Sequence, residues 1–91
     1  MWHNFETYRQ VRWATETEDE IDRAKNCGHS RIEDELQGVE WVLARSPEKG
    51  DQVGPDVYLY VNRRAVTTAS LITLLYSYND VQVEVLRIWI R

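Results

Sequence analysis

The stretch Leu71-Ile72-Thr73-Leu74-Leu75-Tyr76-Ser77-Tyr78-Asn79-Asp80-Val81-Gln82-Val83-Glu84-Val85-Leu86-Arg87-Ile88 decides how this chain folds. Leu71 to Tyr78 is nearly continuous apolar and aromatic sequence, the pattern of a strand buried on both faces. Asn79-Asp80 is a tight-turn dipeptide. Beyond it Val81, Val83 and Val85 alternate with Gln82 and Glu84, as a strand with one buried face requires, and Leu86 to Ile90 prolongs that strand. The spacing predicts an antiparallel hairpin turning at Asn79-Asp80. Immediately upstream, Val57, Leu59 and Val61 alternate with Tyr58, Tyr60 and Asn62 and predict a further strand. Residues 48–56 read as a loop, with Lys49, Gly50, Asp51, Gly54 and Pro55 as its markers.

The N-terminal half is helical in pattern. Ile32, Leu36, Val39 and Leu43 recur at steps of four, three and four, a buried stripe that Ser46-Pro47 ends, because the residue before a proline is driven out of the helical region. Ser30-Arg31-Ile32-Glu33 fits a capping box at its start. A shorter helix is expected after a second such box, Thr17-Glu18-Asp19-Glu20, running to about Lys25 and stopping at Asn26-Cys27-Gly28. Before it, Val11 and Trp13 share one face of an expected strand, opposite Gln10 and Arg12. The order is β-α-α-β-β-β: an α+β domain whose curved antiparallel sheet packs against two N-terminal helices.

Composition limits what such a domain does. At 91 residues the chain is one domain, burying roughly 60–65% of its unfolded surface, so four Trp and five Tyr must fill much of its core. No apolar run is long enough for a transmembrane helix, and the start Met1-Trp2-His3-Asn4-Phe5-Glu6 lacks a signal-peptide layout, so a cytoplasmic, membrane-free protein is expected. The single Cys27 excludes an intrachain disulfide. With His3 and His29 as the other soft ligands, neither a zinc site nor any cofactor is expected. Residues 1–45 hold ten acids against six Lys/Arg, whereas residues 46–91 hold five of each; the net charge of −4 is not the basic signature of a phosphate-gripping protein.

The helix close Trp41-Val42-Leu43-Ala44-Arg45-Ser46-Pro47-Glu48-Lys49-Gly50 and the hairpin from Leu74 to Ile88 together resemble the RelE/ParE superfamily of toxins from bacterial type II toxin–antitoxin pairs. The resemblance runs from about Tyr8 to Arg91 and rests on a leucine-rich helix ending in Leu-Ala-Arg-x-Pro and a Tyr, acidic-turn, Val-x-Val-Leu-Arg hairpin. It implies a toxin that binds a macromolecular target and is neutralised by a cognate antitoxin covering the sheet face and the helix groove. RelE-like members cut messenger RNA in the ribosome; ParE-like members inhibit DNA gyrase. Two departures bear on chemistry. Nuclease members carry an Arg three residues before the tyrosine that is Tyr76 here, and this chain has Thr73. They also place a proton-transfer His or Tyr near the terminus, where this chain reads Trp89-Ile90-Arg91. Cleavage through a 2′-hydroxyl needs a base, an acid and cations on the phosphate. Arg63, Arg64, Arg87 and Arg91 would supply the cations, and Tyr76 an orienting hydroxyl. Two alternatives to the binding toxin follow: a ribosome-dependent messenger-RNA endoribonuclease, and a degenerate member that only assembles, as a homodimer or with a partner.

Each of these residues has a plainer reading. Arg63-Arg64 is also a solvated strand end. Arg87 and Arg91 lie four apart and are expected to share a face with Trp89 and Val85, where they would hold phosphates beside a stacking ring or merely lay their stems over apolar surface. Tyr58, Tyr60, Tyr76 and Tyr78 are β-formers suited to filling a small core. Glu16, Glu18, Asp19, Glu20 and Asp22 read as the exposed side of a helix, and Trp2 and Phe5, in the aromatic segment 1–7, as packing or interface residues.

Overall fold

The computed structural model describes residues 8–29, 31–62 and 71–91. Strand β1 (Gln10–Trp13) leads into helices α1 (Thr15–Asn26) and α2 (Ile32–Arg45). A short 3-10 turn (Pro47–Lys49) then precedes β2 (Asp51–Gly54), β3 (Val57–Asn62), β4 (Ile72–Tyr78) and β5 (Gln82–Ile90). The strands form one sheet in the order β1-β5-β4-β3-β2. Both helices lie on one side of it.

The α2 stripe behaves as its spacing requires. Ile32, Leu36, Val39 and Leu43 are all buried, against Ile72, Leu74 and Tyr76 of β4 and Val83, Val85 and Ile88 of β5. Each such side chain contributes about 1.5–3 kcal/mol on leaving water. Helix α1 follows its charges, with Glu16 and Glu18 in the first turn and Arg23 and Lys25 in the last. Gly28, at φ 99°, takes the left-handed conformation that ends it cheaply.

Several expectations are corrected. The sheet is mixed: β1 runs parallel to β5, with Val11 beside Val83 and Trp13 beside Val85. Those apolar pairs place β1 at one edge of the sheet, while β2 forms the other. The expected loop 48–56 holds the end of the 3-10 turn and the whole of β2, since β2 pairs with β3 through backbone groups that residue type does not reveal. The loop markers do hold at Pro55-Asp56, where Asp56 reaches φ 60° between the two strands. Thr17 is not an N-cap. The Ala14 N–H donates to the Val85 carbonyl (3.0 Å), which keeps Ala14 extended at the sheet edge and starts the helix at Thr15. Thr17 is thereby the third residue of the helix, in its first turn and buried, its hydroxyl donating to the Ala14 carbonyl. Ser30 lies outside the described residues, and Arg31 precedes α2 without a side-chain cap.

In the hairpin, β4 and β5 pair antiparallel as expected, but the connection is three residues long. Asn79 Oδ1 accepts from the backbone N–H groups of Val81 (2.8 Å) and Gln82 (2.9 Å), so Val81 belongs to the turn and is 70% exposed. Strand β4 buries Ile72, Leu74 and Tyr76 of one face; Thr73, Leu75 and Ser77 on the other are half-buried.

Candidate functional site

The register assigns every sheet side chain to a face. Tyr58, Tyr60 and Asn62 of β3 stand opposite Tyr76, Leu74 and Ile72 of β4, and so point towards the helices. Leu59 and Val61 stand opposite Leu75 and Thr73 on the outer face. On β5 the phase changes midway. Tyr76 pairs with Val85 but Leu75 pairs with Arg87, leaving Leu86 without an opposite number. This β-bulge lets both Val85 and Ile88 enter the core, three residues apart, and turns Arg87, Trp89 and Arg91 outward together. The expected company of Arg87, Trp89 and Arg91 therefore holds; Val85 is removed from it, because strict alternation does not cross a bulge.

The outer face is consequently an apolar strip of Leu59, Val61, Leu75 and Trp89 bordered by cations. Trp89 is 41% exposed, and the Arg87 guanidinium lies 6.0 Å from its ring centroid. Beside it, Leu71, Thr73, Trp89 and Arg91 line a shallow hollow of about 260 Å³. Paired backbone fixes its floor, as Leu71 and Arg91 exchange hydrogen bonds of 2.8 and 3.0 Å. The hollow offers an indole face, a hydroxyl and a guanidinium, which suit a planar group carrying a negative charge. No described element covers this side of the sheet.

Tyr76 has a different place. Its side chain is fully buried, and its hydroxyl donates to the Pro47 carbonyl while accepting from the Gly50 N–H at 3.1 Å. Burial pushes the phenol up to about 12, so it stays neutral. The ring of Tyr58 stacks on it at 5.8 Å and lies 4.9 Å from that of Tyr78. Gly50 permits this closeness: a Cβ there would sit 2.2 Å from the Tyr76 hydroxyl and 2.9 Å from the Leu59 carbonyl oxygen. Tyr76 thus ties the 3-10 turn and β2 to the sheet, with its hydroxyl engaged and its ring out of reach of the outer face.

Arg63 and Arg64, like Trp2, His3 and Phe5, lie outside the described residues. Cys27 is exposed; with His29, Glu20 and Arg23 it lines a small hollow at the end of α1. Among the described residues no three His, Cys, Asp or Glu side chains come together as metal ligands, and no helix is long and apolar enough to cross a membrane. Arg45, read above only as part of the helix close, is held between two rings, 3.8 Å from the centroids of both Tyr8 and Trp41. No family model matches the chain, and neither does any curated protein or solved structure.

Proposed function

We propose that this chain is the toxin component of a type II toxin–antitoxin pair, acting by binding a macromolecular target and neutralised by a cognate antitoxin. The observation that supports this reading is the uncovered outer face, where the bulge at Leu86 gathers Arg87, Trp89 and Arg91 beside Leu75 and Thr73. A half-exposed tryptophan flanked by arginines is the composition of an interface anchor. Thr73 stands where nuclease relatives place an arginine, and the Tyr76 hydroxyl is engaged by backbone, which favours binding over cleavage.

Inducing the chain alone should arrest bacterial growth, and co-expression of the adjacent small reading frame should restore it. Unimpaired growth with abundant folded protein would refute the toxin reading and leave the degenerate member that only assembles. One observation favours the endoribonuclease alternative: Arg87 and Arg91 share a face with Trp89, on which they would hold phosphates beside a stacked base. With Thr73 and Ile90 at the places where nuclease members put a cation and a proton-transfer group, each worth about 10²–10⁴ in rate, the chain should cut messages in translating ribosomes weakly or not at all. Strong cleavage by the natural chain, lost in both Arg87→Ala and Arg91→Ala, would overturn binding in favour of the enzyme. Toxicity with intact messages and gyrase-linked DNA damage would place the target at gyrase.

A further inference from the structure

The opposite side of the molecule carries a second surface with its own chemistry. Trp13 at the end of β1, Ile21 of α1 and Leu36 of α2 form the apolar floor of an open groove of about 240 Å³, rimmed by Glu18, Glu33 and Glu40. Its α2 wall is one helical stripe from Glu33 to Glu40, about 10 Å long at 1.5 Å per residue, or two turns of a docked helix. The groove is pre-shaped: the Trp13 indole N–H donates to Glu40 at 3.0 Å, which fixes the ring as an end wall. The rim already receives an ammonium group, since Lys25 sits 3.1 Å from Glu33, and that carboxylate remains 72% exposed. Among the described residues Glu18 has no cation.

We propose that this groove receives an amphipathic, lysine- or arginine-rich segment of a partner protein. An apolar side chain would enter between Trp13, Ile21 and Leu36, and flanking cations would reach Glu18, Glu33 and Glu40. Charge selects the occupant: an acidic segment meets three carboxylates, and a purely polar basic one leaves the apolar floor wet. The volume suits one large side chain, so affinity comes from that anchor, with the rim supplying steering and register. The groove lies on the side of the sheet away from Arg87, Trp89 and Arg91; on the toxin reading it belongs to the antitoxin, and the inference deepens that reading by naming the segment's chemistry, while peptide binding is read separately from growth arrest.

The test uses a synthetic peptide of about fifteen residues with Leu at i, i+3, i+4 and i+7 and Lys elsewhere, titrated into the full chain and followed by amide NMR. The Trp13 indole resonance and those of Ile21, Leu36 and Gln37 should move, and salt should weaken binding. Glu18→Lys combined with Gln37→Lys, both at exposed positions, should weaken it by about tenfold or more. Glu16→Lys, exposed on α1 but outside the groove, should leave it unchanged. A peptide with Glu in place of Lys should not bind. The proposal is overturned by equal binding of a peptide of the same composition with scattered Leu, by shifts on the sheet or around Glu16 and Asp19 instead, or by no binding at about millimolar peptide.

Discussion

The two faces of the sheet are built from the same strands and obey different rules. On the helix side, Tyr76, Leu74, Val83 and Val85 are sealed and even the phenol hydroxyl is committed to Pro47 and Gly50. On the outer side, Trp89 is partly open beside two arginines whose chain positions put them only a few residues from those core groups. The bulge at Leu86 shifts which residues of β5 take each face. The contrast teaches that stability and recognition are segregated by strand face rather than by segment, so neighbouring residues of β5 should give opposite mutational phenotypes.

The largest effect is expected on the sealed side. Leu36→Ala removes a buried side chain under α2 and should destabilise the fold by about 2–5 kcal/mol in urea denaturation; a cost near zero would break the assignment of that face as core. The pH dependence of stability sharpens the same point. Tyr76 ionises near 10 when unfolded and near about 12 in the fold. Its contribution is therefore complete below pH 10 and lost as pH rises through about 12, because only the unfolded phenol releases its proton in that window. The loss should be roughly 2–3 kcal/mol. Tyr76→Phe, itself weakened by about 1–3 kcal/mol through two deserted backbone groups, should show less of that alkaline fall. A chain and variant falling in parallel would mean that the hydroxyl is not sealed. Gly50→Ala should cost about 1–3 kcal/mol, because the new methyl meets the Tyr76 hydroxyl and the Leu59 carbonyl.

What could be read from residues alone divides along physical lines. The α2 stripe was legible because helical periodicity is local and its four apolar positions admit one face. The β4–β5 hairpin was legible because its turn and alternation lie within a few residues of each other. The parallel partnership of β1 and β5 was not, since it joins positions some seventy residues apart. Strand β2 was hidden because Asp51-Gln52-Val53-Gly54 carries loop residues and pairs through its backbone. The bulge was hidden because Val85, Leu86 and Ile88 are all apolar, so the lost phase left no mark in residue type. For the candidate site, the grouping of Arg87, Trp89 and Arg91 followed from strand spacing. The engagement of Tyr76 did not, because its partners are the backbone of Pro47 and Gly50, whose residue types announce nothing.

The smallest stability effects, and the most direct test of the central claim, belong to the outer face. Arg91→Ala should change folding stability by no more than about 0.5–1 kcal/mol, as exposed positions do, and Trp89→Ala, whose ring is half-buried on the sheet, by about 1–2 kcal/mol. Induced in bacteria beside the natural chain, each folded variant should nevertheless lose growth arrest, whereas Trp41→Ala, an exposed tryptophan on α2, should retain it. Arrest undiminished in both outer-face variants, at equal folded levels, would contradict the account and move the functional surface elsewhere on the molecule.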